Sequence, residues 1–406
     1  MPCFQWIFQV ATTFRLRSTQ AEACDPDPAK KGDGSPGEPS PEFFIVFFCR
    51  QMWVKMAEGA VARENRMMYS PKKMKFLFLA FSLLSRFGSR VKNFLYDLGV
   101  FKPKTAPLPV ISVGNIALGG TEKTPLVMEL LSWLFEKGRR PALVSRGYKG
   151  RWERKGGVLS DGKHKFGTWE EGGDEPFMVA RRFSQAGVFV GKNRLSSCHK
   201  AAESGFDIAV LDDGFQHRRL HRDLDIVLYS PEEKIGLREP LRALERADIL
   251  FIKKEASASE EKQKISPSFP KPIFTYCVIS KGFFSLGSQE EVPNELLTKK
   301  KILAFCGIAR PQRFFAQVRQ AGLEVALSLS FPDHHFYPRS SPEKIIRACR
   351  EVGAEAAVTT EKDSVKIAAY HSLFENIPVY YLKIGLQIEP GFYKKISPLL
   401  EKTAQP

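Results

Sequence analysis

Between Leu108 and Ile384 the chain alternates short apolar runs with longer stretches in which apolar residues recur at helical spacing. The first run, Val110 to Val113, breaks into a glycine-bearing loop. Leu126, Leu130, Leu131, Leu134 and Phe135 then mark one face of a helix that Gly138 closes. Pro141 to Ser145 reads as the next strand, so the order is strand, loop, helix, strand, the unit of a parallel sheet. A glycine-rich excursion through Gly156, Gly157 and Gly162 reads as a hairpin. Val188 to Val190, Phe206 to Leu211, Leu224 to Leu228, Ile249 to Ile252 and Ile273 to Ile279 supply further strands, with helices over Phe177 to Phe183 and Arg194 to Ser204. After polar stretches at Lys253 to Lys271 and Gly287 to Lys300, a second α/β block begins at Lys301. Its strands are Ile302 to Phe305, Val325 to Leu329, Ala356 to Thr359 and Pro378 to Ile384, and its helices Pro311 to Ala321 and Ser341 to Arg350. The fold class is α/β with a mostly parallel sheet, and there is no internal repeat.

The N-terminal part departs from this pattern. Asp25 to Pro41 is rich in Pro, Gly and charge and reads as a disordered linker. The run Phe43 to Phe48 is too short to span a bilayer. Residues 1–71 are accordingly expected to be a poorly ordered extension. In residues 72–100, Lys72, Lys73 and Lys75 precede the apolar block Phe76 to Leu84. Arg86, Arg90 and Lys92 then interleave with Phe87, Val91, Phe94 and Leu95. Two readings fit: an amphipathic helix lying in the headgroup layer of a membrane, or one packed on the core.

Length and composition narrow the class. With 406 residues, 43% of them hydrophobic and 26% charged, the chain can build two cores. A formal charge of +16 calls for an acidic partner, which could be nucleic acid, an anionic membrane surface or a phosphorylated substrate. No nucleic-acid recognition motif accompanies it. The seven cysteines are scattered and never spaced C-x-x-C, which excludes a zinc site or disulfide framework and suits a reducing compartment.

The candidate chemistry gathers at strand ends. Ala117, Leu118, Gly119, Gly120, Thr121, Glu122, Lys123 and Thr124 link the first strand to the first helix. That arrangement is a phosphate cradle: backbone N–H groups face phosphates, the lysine neutralises their charge, and the threonine hydroxyl ligates Mg²⁺. The same residues could simply form a βα turn that caps a helix. The loop lacks glycine at 117 and 122, and a left-handed backbone there costs about 1–2 kcal/mol without it. Downstream, an apolar strand ends in Asp212 and Asp213, as in sites where a carboxylate holds the Mg²⁺ of a nucleotide. Asp174 and Glu175 follow paired glycines, where N-capping and first-turn acids are the plainer reading. Arg218, Arg219, His221 and Arg222 crowd the loop after the strand, which suits an anionic substrate, although a solvated basic loop is the commoner explanation of such a cluster.

Taken together, SVGNIALGGTEKTP, SRGYKG, GGDEP, LDDGFQH, LREP, FCGIARPQRF, FPDHH and VTTEKDSVK occur in an order and spacing that resembles the tetraacyldisaccharide 4′-kinases (lipid A 4′-kinases) of Gram-negative bacteria. The resemblance runs from about Phe76 to the C-terminus. It implies a P-loop NTPase-like core, here residues 101–285, a smaller C-terminal α/β lobe, residues 286–406, and an N-terminal amphipathic helix at the cytoplasmic face of the inner membrane. It implies transfer of the γ-phosphoryl of ATP, with Mg²⁺, to the 4′-hydroxyl of an acylated glucosamine disaccharide 1-phosphate. No obligate protein partner is implied. By the same resemblance Lys123 binds the ATP phosphates and Thr124 the Mg²⁺. Asp174 is the base, His334 its orienting partner, and Glu175, Asp212 and Asp213 organise the metal. Members generally carry glycine where this chain has Glu122. The alternatives are a P-loop ATPase or GTPase acting on a protein, or a membrane-binding relative impaired by that glutamate.

Overall fold

The computed structural model describes residues 92–117, 122–229, 237–254, 269–374 and 376–402. The expected N-terminal extension, most of the expected amphipathic helix, and Leu118 to Thr121 of the phosphate loop lie outside them. Residues 92–97 are helical. From Leu95 onward the chain forms one compact unit, to which everything below belongs.

Its frame is a single sheet. β1 (Val110–Asn115) pairs in parallel with β5 (Ile208–Asp212) on one side and β6 (Leu224–Tyr229) on the other. β2 (Pro141–Ser145) and β4 (Gly187–Val190) extend the sheet beyond β5, and the antiparallel β3 (Gly157–Asp161) closes that edge. The expected hairpin at β3 is reduced to a turn with a bridge between Ser160 and Lys165. Beyond β6 come β7 (Ile249–Lys253) and β8 (Ile273–Ser285), both parallel to it. β8 then pairs antiparallel with β13 (Val379–Ile388), and the two-residue β9 (Glu291–Val292) adds to its end. From β13 the sheet continues in parallel through β12 (Ala356–Thr360), β10 (Lys301–Cys306) and β11 (Glu324–Ser330). Two parallel blocks therefore meet at one antiparallel seam.

Each block is covered on both faces, as strands apolar on both sides require. On one face of the first block, Ile111 and Val113 pack against Leu126, Leu130 and Leu134 of α1 (Lys123–Glu136). Met178 and Val179 join them from α3 (Asp174–Arg182), which the short α2 (Trp169–Gly172) precedes. On the opposite face, Val110 and Val144 pack against Cys198 and Ala201 of α4 (Arg194–Glu203). In the second block α5 (Asn294–Thr298) leads into β10. Phe314 and Val318 of α6 (Pro311–Gln320) cover one face, and Ile345 and Cys349 of α7 (Ser340–Val352) the other. α8 (Glu361–Ile367) follows β12 directly. α9 (Gly391–Lys402) returns to the first block and seats Phe392 and Ile396 in its core.

Candidate active site

The candidate residues gather in two clusters, one at the carboxyl ends of β1 and β5 with the start of α1, the other where α3 and α8 begin beside His334. At the end of β1, Asn115 Nδ2 donates to the Ala117 carbonyl at 2.8 Å, and its Oδ1 accepts from Lys123 Nζ at 3.1 Å. Gln216 Nε2 donates to the Asn115 carbonyl at 2.7 Å. The start of the phosphate loop is thus pinned from β1 and from the turn that follows β5. Lys123 and Thr124 open α1, and Lys123 Nζ lies 3.3 Å from Asp213 Oδ1.

Glu122 occupies the left-handed region at φ 52°, a conformation that glycine takes freely and other residues take at a cost. Its carboxylate is engaged by other elements. Arg313 Nη1 of α6 donates to Oε1 at 2.9 Å, Lys253 Nζ lies 3.7 Å from the same oxygen, and Tyr276 Oη reaches Oε2 at 3.4 Å.

Asp212 and Asp213 differ sharply in environment. Burial, with Glu175 and Asp213 nearby, pushes the Asp212 carboxyl up to about 7, against the pull of Lys123 and Arg194. Asp213 is part-exposed, and Lys123 and Arg238 outweigh its desolvation and hold its carboxyl below the usual range. Arg238 Nη1 grips both its oxygens, at 3.0 and 2.8 Å. Asp212 Oδ1 is buried without a donor among the described residues, and an anionic oxygen of that kind fits a divalent cation. Among the described residues no three acidic, His or Cys side chains form a closed metal cage. Mg²⁺ does not need one, since it keeps waters and substrate oxygens in its shell.

Asp174 is the first residue of α3, placed there by Gly173 at φ 93° and ψ 152°, a backbone region open essentially to glycine alone. Asp174 Oδ2 lies 2.9 Å from Nδ1 of His334, a residue 160 positions away. Lys362 Nζ contacts His334 Nε2 at 3.4 Å and donates to Glu175 Oε1 at 2.8 Å. An ammonium can only donate, so Nε2 must accept and Nδ1–H donates to Asp174. Lys366 Nζ adds a contact to Asp174 Oδ2 at 3.4 Å. Burial raises the Asp174 carboxyl, but Lys362, His334 and Lys366 outweigh it and hold the group ionised far into acid. Burial would lower the Lys362 ammonium, yet Glu175 and Asp174 raise it well above the usual lysine range. The cleft beside the pair is lined by Tyr148, Trp169 and Phe336, with Tyr148 set edge-on to the His334 ring at 5.4 Å.

Of the residues singled out from sequence, Asp174, Glu175 and His334 are brought into one cluster, and Lys123 and Asp213 into another. The charges of Glu175 and Asp212 couple the two clusters. Lys362, Lys366, Arg238 and Arg194 join these clusters without a role expected from sequence. The first three stand inside the VTTEKDSVK and LREP motifs, whose position in the pattern is the one sequence signal that points to them. Arg194 is buried behind Asp212, which, with Asp213, offsets part of the burial that lowers the guanidinium to about 10.

The sequence pattern of the family described as "LpxK: Tetraacyldisaccharide-1-P 4'-kinase" matches residues 74–401. A tetraacyldisaccharide 4′-kinase of Syntrophus aciditrophicus (strain SB) is 36% identical over 364 residues, which cover 84% of this chain and 94% of that one. The enzyme of that name from Aquifex aeolicus (strain VF5) is 34% identical over 326 residues, 78% of this chain and 96% of its own. A crystal structure described as the "apo" form of LpxK from Aquifex aeolicus in complex with ATP is similar at a TM-score of 0.66 and 31% identity. It covers 82% of this chain and 100% of that one.

Proposed function

The chain belongs to the tetraacyldisaccharide 4′-kinase family, and we propose that it phosphorylates its acceptor with Asp174 as base and His334 as the base's orienting partner. It is an ATP- and Mg²⁺-dependent kinase of lipid A biosynthesis. The observation that carries the residue roles is the 2.9 Å contact between Asp174 and His334 at the cleft, next to the cluster that contains Lys123.

Phosphoryl transfer asks a protein for alignment and charge neutralisation more than for covalent chemistry. The acceptor 4′-hydroxyl oxygen forms a bond to the γ-phosphorus of ATP while its proton passes to the Asp174 carboxylate. The bond from that phosphorus to the bridging oxygen breaks, and ADP leaves. His334 fixes the rotamer of Asp174 and spreads the charge of Lys362 toward it. Lys123 neutralises phosphate oxygens, and Asn115 and Asp213 hold its side chain in place until they arrive. Thr124, Asp212 and Glu175 would hold the Mg²⁺, with Asp213 acting through Lys123 and Arg238. The ion supplies charge neutralisation on the phosphates. Tyr148 and Phe336, each about half exposed at 50% and 53%, offer an apolar wall to an acylated sugar.

The acceptor is the acylated glucosamine disaccharide 1-phosphate, met at the anionic cytoplasmic face of the inner membrane. Leu98 and Val100, exposed at 59% and 62%, and the charge of +16 support that placement. No helix among the described residues is long and apolar enough to cross a membrane. The test is a gain of one phosphate in mass on the purified disaccharide 1-phosphate with ATP and Mg²⁺, lost in Asp174→Asn and in Lys123→Ala. A native chain that neither turns over nor binds ATP would sink the reading. Sedimentation with anionic vesicles should be lost on deletion of residues 72–100, and binding that persists would refute the anchor.

A further inference from the structure

The contacts of His334 and Asp174 close into a ring that extends beyond the pair itself. Lys366, with a side chain 1% exposed, lies 3.4 Å from Asp174 Oδ2 and 3.2 Å from Asp363 Oδ1. Asp363 is wholly buried. Its Oδ2 accepts from the Gly307 N–H and from Thr360 Oγ1, each at 2.8 Å. The Gly307 carbonyl in turn accepts from the backbone N–H of His334 at 3.0 Å. His334 needs such a tether, because it holds a left-handed backbone at φ 57° without being glycine. The path runs from the His334 ring through Asp174, Lys366, Asp363 and Gly307 back to the His334 backbone.

We propose that Lys366 and Asp363 are positioning residues of the phosphoryl transfer, holding the carboxylate from the first block and the imidazole from the second in fixed register; this rests on the reading of Asp174 as base. The lone pairs support it. Asp174 Oδ2 already takes His334 Nδ1–H and the Lys366 ammonium, and an oxygen of this kind has two lone pairs. Among the described residues Oδ1 takes only the Glu175 N–H, at 3.0 Å, so its second lone pair is the one left for the sugar hydroxyl. Lys366 thereby decides which oxygen of Asp174 receives the proton. The i,i+3 spacing of Asp363 and Lys366 puts both on one face of α8. Thr360 caps that helix by accepting from the Asp363 N–H at 3.0 Å, which fixes the rotation of that face.

The test measures kcat and KM for ATP per folded molecule, in detergent with the disaccharide 1-phosphate, for Lys366→Met, Lys366→Arg, Asp363→Asn and Asp174→Asn. Displacement of a base by about an ångström costs on the order of 100-fold. Lys366→Met should therefore lose about that factor in kcat, with KM for ATP held within about 3-fold. Lys366→Arg should recover part of the loss, because it restores the charge but not the length. If Lys366→Met does not fold, Asp363→Asn and Lys366→Arg decide, and both should lower kcat by about 10-fold or more. Folded variants of Lys366 and Asp363 that keep kcat within about 3-fold, while Asp174→Asn is dead, would overturn the inference and leave the base intact. Full turnover by Asp174→Asn would instead remove the base reading itself.

Discussion

Glu122 keeps a left-handed backbone that costs a non-glycine residue about 1–2 kcal/mol, and three partners from β7, β8 and α6 offset it. A part-buried charged hydrogen bond is worth about 1.5–3 kcal/mol, so strain and pairing nearly cancel. Glu122→Gly should then unfold within about 1 kcal/mol of the parent and turn over at least as fast. Glu122→Ala, which keeps the strain and loses the partners, should lose about 1–3 kcal/mol in denaturant titration. Asp212 tells the opposite story. Its folded carboxyl, at about 7, lies above the unfolded value of 3.8, so the native state holds the proton longer. Stability of the metal-free protein falls as pH rises through that window and levels off above it. Asp212→Asn should raise the melting temperature in chelator at pH 8 by about 3 °C or more, gain nothing at pH 4, and abolish turnover. A buried carboxylate kept at this cost in stability is what the proposed metal role of Asp212 requires. The acids and the lysine of these clusters were legible one at a time, from strand ends and a glycine loop. The Asp174–His334 pair was legible only through the family resemblance, because nothing local links residues 160 apart.

Among the elements, those with apolar faces were read nearly as they stand. α1, α4, α6 and α7 fall within a residue or two of their stripes. β8 runs on to Ser285, past the Ile279 expected from its apolar run, because β13 pairs with it across the polar stretch that follows. The serious miss is α8. EKDSVKI carries too little apolar character to read as a core helix, yet Glu361, Asp363, Ser364 and Lys366 are all buried in it. Hydrophobic periodicity cannot find a helix whose buried face is charged, since the signal it seeks is replaced by ion pairs. α3 depends on a different device. At Gly173 a Cβ would lie 3.2 Å from the Gly147 and Tyr148 backbone, in a conformation already closed to side chains. Gly173→Ala should cost about 2 kcal/mol or more in stability and cut kcat further than KM, by tilting Asp174 away from His334.

At the scale of the molecule, the expected boundary between core and C-terminal lobe falls at the end of β8, and the sheet runs straight through it. Asp174 stands in one parallel block and His334, Lys362 and Lys366 in the other, so the cluster exists only while both keep their relative register. Thermal unfolding followed at Trp133 and Trp152 in the first block and by hydrogen exchange in β10 and β12 should give one coincident transition. Two separate midpoints would show that the blocks melt independently. The seam has a consequence for gene shuffling. β8 precedes β10 to β12 in the chain, but its antiparallel mate β13 follows them. A crossover with a relative anywhere between the two would marry seam strands from different parents and set the Tyr381–Phe284 and Leu386–Val278 registers at random. Viable chimeras should therefore break before β8 or after β13, and a recombination library sorted for growth ought to be empty in between.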